Sequence, residues 1–311
     1  MTQSQAAEKV SPWIYLKLYL GRTVDRMDRL LIDLSREDTL TQRAQAWFYI
    51  RYVDEQGIHI RLRAKARVGD EQALRRALID TSARRLGRLH ELTPGDYFPM
   101  VAMPGFEQAI DQLSSAHNDI DVVEATYDPE FDKFGGPDGM GIAEELFYVS
   151  SCVACQVLAD DEAGRYSRKD LVPSLLDETY RAFLPADNEA VFWREYSYYW
   201  LNGKSPAAND WRDRFFDKGR ELAERSIRVV PDEQQLPAEA LQPLRSWRAA
   251  LKNTAARYAD LGRRSDAAPE VLCFNFAHLM NNRLGLGTLE EAYMGALLER
   301  RAAAPAELKA A

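Results

Sequence analysis

The chain has 311 residues, 46% of them apolar and 28% charged, enough material for one large core or two packed halves. Its apolar runs are interrupted by Asp, Glu or Arg before they reach bilayer-spanning length, and residues 1–10 are polar, so neither a membrane span nor a signal peptide is expected. The net charge of −8 is uneven: residues 1–92 hold 17 Lys and Arg against 12 Asp and Glu, leaving −13 on the remainder, a balance against direct nucleic-acid binding and in favour of a local anion site or of solvated arginine faces.

Residues 13–20 are rich in aromatic and branched side chains and predict a first strand. Residues 22–35 then space Val24, Met27, Leu30, Leu31 and Leu34 at helical intervals. A β-hairpin follows, with strands at 47–52 and 58–63 joined by a turn that ends at Gly57. Side chains alternate along a strand, so Ile58, Ile60 and Leu62 share one face while His59, Arg61 and Arg63 share the other. Same-face neighbours stand roughly 6–7 Å apart, and the cations repel unless an anion sits among them. Arginine forks match a carboxylate; a basic solvent-facing strand is the alternative. An arginine-studded helix over 70–90 and a strand over 121–127 come next.

Residues 127–136 leave that strand, break at Pro129 and end in a Gly135-Gly136 turn. They hold Glu130 and Lys133 on a loop tied at both ends, either as a surface ion pair or as opposite charges offered to a ligand. No phosphate-loop spacing is present. Residues 142–158 are apolar almost all round, as a buried helix is, and further helices are expected at 168–182, 187–201, 207–226, 238–261, 269–284 and 288–302. Residues 302–311 read as a frayed end. Cys152 and Cys155 sit in the apolar helix with no second pair and read as buried thiols. With Cys273 they make an odd count that favours a reducing, cytoplasmic setting. Tyr196, Tyr198, Tyr199 and Trp200 form an aromatic run, either core or the lining of a peptide groove.

On the helix at 269–284, Asn275, His278 and Asn282 form one polar stripe, beside Leu272, Phe276, Leu279 and Arg283. His278 is then either an acid or base held in one tautomer or a hydrogen-bonded structural residue. His90 and His117 are isolated, no ligand set has metal spacing, and no cofactor is expected. The fold class is α+β: one domain over 1–311, with a small antiparallel sheet and helices at about 11–140 and a larger helical half at about 141–302.

Five pieces occur in order: Trp13-Ile-Tyr with its helix, the strand pair ending His59-Ile-Arg-Leu-Arg63, Tyr127-Asp-Pro-Glu130 through Gly136, Ala143-Glu-Glu-Leu-Phe147, and His278-Leu-Met-Asn-Asn-Arg283. Together they resemble the C-terminal elimination domain of class I lantibiotic dehydratases, which also occurs alone in thiopeptide pathways. The resemblance spans residues 13 to about 290. It implies a lyase acting on a ribosomally made precursor peptide, leader and core, whose Ser or Thr has been glutamylated from glutamyl-tRNA by a separate protein. The lyase removes the α-proton and expels glutamate, leaving dehydroalanine or dehydrobutyrine. By the same resemblance Arg61 and Arg63 engage the glutamyl group, Glu130 and Lys133 complete the catalytic set, and His278 transfers the proton. His59, Asn282 and Arg283 contact substrate.

Two positions depart from that pattern. Lys133 stands where the family usually has arginine before its Gly-Gly, and Ser150-Ser151 replaces a common Asp-Ser. The chain also lacks a counterpart of the glutamylating domain, so it is expected to share dehydration with another protein. Thiopeptide pyridine synthases use the same fold to join two dehydroalanines in a four-plus-two cyclisation and release the leader. Lys133 points toward that activity; the retained Arg61, Arg63, Glu130 and His278 point away from it. A non-catalytic leader-binding partner is a third reading.

Overall fold

Strands β1 (Trp13–Tyr19), β2 (Ala46–Asp54), β3 (Gly57–Lys65) and β4 (Asp121–Ala125) form an antiparallel sheet in the order β2-β3-β1-β4. This is the arrangement in the computed structural model, which describes residues 13–21, 26–90, 120–262 and 266–303. The register puts Ile14, Leu16, Leu18, Tyr49, Ile60, Leu62 and Ala64 on one face, each at most 1% exposed. Helix α2 (Glu71–His90) lies against β1 and β4, and α1 (Met27–Ser35) lies against α2. The spacing read in the sequence buries Met27, Leu30, Leu31 and Leu34 on α1. In the hairpin turn the Gln56 amide donates to Asp54 Oδ1 at 3.0 Å, and Gly57 takes φ +118°, a value a side chain would oppose.

The hairpin strands run two or more residues beyond the expected 47–52 and 58–63, because β1 and β2 both pair with β3 as far as Lys65. Strand β4 stops at Ala125 rather than at 127. Tyr127 leaves the ladder while its ring packs edge-on against Trp13 and Phe48, at 5.8 and 6.0 Å. These strands and helices, with residues up to 128, make one unit; residues 129–303 make the other. The division falls at Asp128-Pro129. His117 and residues 1–10 and 304–311 lie outside the described residues, as does the side chain of His90.

The second unit is helical among its described residues: α3 (Gly136–Glu162), α4 (Arg168–Phe183), α5 (Glu189–Trp200), α6 (Pro206–Glu224), α7 (Ala238–Leu261), α8 (Pro269–Leu284) and α9 (Thr288–Ala303). Helices α3 and α4 each pack on α7 and α8, while α5 and α6 pack on α9. Helix α3 starts six residues before the apolar stretch that predicts it. Gly135 caps it at φ +76° and Pro137 stands in its first turn, where a missing N–H costs nothing. The Gly135-Gly136 turn is therefore a helix start.

Helix α3 also corrects the expectation that no apolar run is long enough to span a bilayer. Its best 18-residue window has a mean hydropathy of 1.4, yet 61% of that window is buried inside the fold, as befits a core helix. Cys152, Cys155 and Cys273 form no disulfide with one another, the last two are buried, and burial pushes the Cys273 thiol well above its ordinary value.

Candidate active site

The second face of the sheet carries the predicted cations. Register places Arg63 between Tyr15 and Phe48, Arg61 between Lys17 and Ile50, and His59 between Tyr19 and Tyr52. This is not a basic strand in water. Arg63 is 6% exposed, its guanidinium carbon lying 4.5, 5.3 and 4.9 Å from the ring centres of Tyr15, Phe48 and Tyr127. Such a cage compensates part of the desolvation of a cation. Arg61 is half-buried and lies flat on Tyr52, 3.3 Å from the ring centre. It forms no ion pair with a carboxylate among the described residues. Lys17 is occupied by Asp54 at 2.9 Å.

His59 is wholly buried, so it acts on this face only through its neighbours. Its Nδ1–H donates to Gly57 O at 3.1 Å. Nε2 is left to accept from Arg61 Nε at 3.5 Å, at the limit of a hydrogen bond. Burial pushes its pKa below the ordinary 6.5, against the raising effects of the Gly57 carbonyl and Asp54. A neutral His59 thus backs Arg61.

In the helical unit, Phe131–Lys133 form one 3-10 turn. There Lys133 Nζ is bonded to Glu130 Oε1, and both side chains are more than half exposed, an ion pair that contributes little to stability. The next residue is anchored: Phe134 is buried among Phe147 and Phe276. Tyr258 Oη donates to Gly139 O at 2.7 Å and shares the proton with Phe134 O at 3.2 Å.

His278, on α8, is held differently. Its Nδ1 lies 3.0 Å from Glu291 Oε1 and 3.3 Å from Oε2. Trp200 lies against the ring, centroids 4.5 Å apart. The side chain stays 30% exposed, and Nε2 has no hydrogen-bond partner among the described residues. With Nδ1–H donated to a carboxylate, the Nε2 lone pair is open, which is what a general base needs. Glu291, on α9, is 1% exposed. It also accepts from the Tyr196 hydroxyl of α5 and from Asn281 Nδ2 at 3.2 Å. Burial, then the carboxylate, hold the Tyr196 phenol well above its usual value, so it stays a donor.

The sequence reading found His278 but not what holds it. Asn281, one residue from the predicted Asn282, reaches the carboxylate, whereas Asn275 Nδ2 turns back to Val271 O at 2.8 Å. Arg283 is 1% exposed; it donates from Nε to Ser151 Oγ at 3.0 Å and from Nη1 to Leu279 O at 3.0 Å. It packs within the helical unit in place of an open substrate contact. Tyr196 and Trp200 belong to the aromatic run; Trp200 lies against the histidine and Tyr196 bonds the carboxylate that holds it. Glu291 was legible in principle: an acid three, four and seven residues before Met294, Gly295 and Leu298 lies on the core face of α9.

The profile of the family described as lantibiotic biosynthesis dehydratase C-term matches residues 13–303. The tRNA-dependent lantibiotic dehydratase MibB from Microbispora sp. 107891 shares the fold at TM-score 0.60 and 20% identity, over 96% of this chain. This chain spans 28% of that dehydratase's length. The pyridine synthase TbtD from thiomuracin biosynthesis superposes at TM-score 0.66 and 17% identity, covering 94% of this chain and 97% of its own. No curated protein matches the sequence.

Proposed function

The chain belongs to the lantibiotic biosynthesis dehydratase C-terminal family, and we propose that it is a lyase eliminating glutamate from glutamylated Ser or Thr of a ribosomally made precursor peptide. The observation that carries this reading is the accessible His278 ring, with Nδ1 bonded to a buried carboxylate and Nε2 open. The α-proton passes to Nε2, the Cβ–O bond breaks, and glutamate leaves as a carboxylate, so atoms and electrons balance within the substrate and one base. Arg61 supports the reading as a stacked, half-buried cation with no carboxylate of its own, suited to the glutamyl group. Arg63 adds charge from its aromatic cage. A separate glutamylating protein supplies the substrate.

Binding and turnover of a glutamylated precursor peptide test this division of labour. His278→Ala should abolish glutamate release while the peptide still binds. Arg61→Ala should weaken binding of the glutamylated peptide more than that of the unmodified one. Turnover that survives His278→Ala removes the assignment.

One observation favours the second reading, a pyridine synthase. Lys133 is already engaged by Glu130 and offers no planar fork for a glutamyl carboxylate. Lys133→Arg should raise glutamate elimination if that loop serves an eliminase; no change marks the loop as a surface ion pair.

A further inference from the structure

Helix α9 buries two glutamates, and the way each is satisfied differs. Glu299, 5% exposed, is met by two arginines, Arg194 at 2.8 Å and the buried Arg212. That pairing is the usual condition for burying a carboxylate. Glu291 is buried more deeply and has no lysine or arginine among the described residues. Its partners are the Tyr196 hydroxyl, the Asn281 amide and the His278 ring, drawn from α5 and α8. All three are donors, which suits an acceptor-only carboxylate. Asn281 Nδ2 also donates to Tyr196 Oη at 3.1 Å, so the phenol is free to give its proton to Glu291. Tyr196 and Asn281 both hold Oε2, which leaves Oε1 for the third partner, the Nδ1 of His278. Merely structural packing has no need of a buried acid here, since a neutral amide or an apolar side chain would fill the volume at less cost.

We propose that Glu291, clamped by Tyr196 and Asn281, is the positioning residue of His278: it fixes the proton on Nδ1 and turns Nε2 toward the reacting proton. The proposal rests on reading His278 as the proton-transfer group. Glutamine at 291 has one acceptor oxygen, which Tyr196 and Asn281 hold at the Oε2 position, and its amide N–H then faces the imidazole. Nδ1 becomes an acceptor and the proton moves to Nε2, where it blocks the base.

The test is 15N NMR of the full chain with labelled histidine, the His278 signals identified by their loss in His278→Gln, together with turnover of glutamylated peptide. The wild-type protein should carry the His278 proton on Nδ1. Glu291→Gln should move it toward Nε2 and lower kcat by roughly 100-fold or more, the scale of a lost acid–base group, with KM little changed. Glu291→Asp keeps the charge and should recover the Nδ1–H signal and part of kcat; it also serves where the glutamine variant does not fold. A wild-type proton on Nε2 overturns the proposal, as does a tautomer and kcat unchanged in Glu291→Gln or, if that variant does not fold, a Glu291→Asp protein whose His278 proton has left Nδ1. A tautomer that obeys Glu291 in a protein releasing no glutamate sustains the positioning and counts against elimination instead.

Discussion

Single residues on the aromatic-cation face make a pH prediction. His59 has a folded pKa below its ordinary 6.5, chiefly because it is buried. The unfolded chain therefore binds the proton first, and the stability this group contributes is present above pH 6.5 and lost as pH falls toward the folded value. Protonation also converts Nε2 from acceptor to donor against Arg61. The melting temperature should fall below pH 6.5, and His59→Gln should flatten that limb; a variant with an unchanged limb assigns the effect elsewhere. What was legible here was chemical type. Alternation along β3 put His59, Arg61 and Arg63 on one face, as the register has it. Their burial was not legible, because the rings that cage them come from β1, β2 and Tyr127, and their arrangement depends on long-range pairing.

Within elements, two glycines of α3 predict opposite outcomes. A methyl group on Gly139 would lie 1.9 Å from the Phe134 carbonyl oxygen, whereas one on Gly141 meets nothing within 4 Å. Gly139→Ala should therefore lose about 1–3 kcal/mol or more, since the carbonyl that Tyr258 also grips must move. Gly141→Ala should gain about 0.4–1 kcal/mol by stiffening the unfolded chain. Denaturant midpoints decide both, and equal signs would contradict the packing described. Most helices were read within two residues, because apolar spacing over 12–24 residues is a strong local signal. Helix α3 was not: its start rests on Gly135 and Pro137, residues whose local habit suggests a turn, and on the anchoring of Phe134 by α7 and α8. The same non-local origin hid the partners of Glu291, which lie 10 to 95 residues away.

For the whole molecule, sequence and structure agree on class: a four-stranded antiparallel sheet with helices, then a helical unit, in a chain matched to its family over residues 13–303. The fold alone does not choose between chemistries, and the neighbours in fold carry two of them by name. The choice rests on the substrate. The most direct measurement incubates the protein separately with a glutamylated precursor peptide and with the fully dehydrated one, following peptide mass and free glutamate. One glutamate should appear for each dehydroamino acid formed from the first peptide, with no change in the second. Turnover of the dehydrated peptide with release of its leader, and none of the glutamylated one, would contradict the account and make the protein a cyclising enzyme; tight leader binding with neither change would make it a non-catalytic partner.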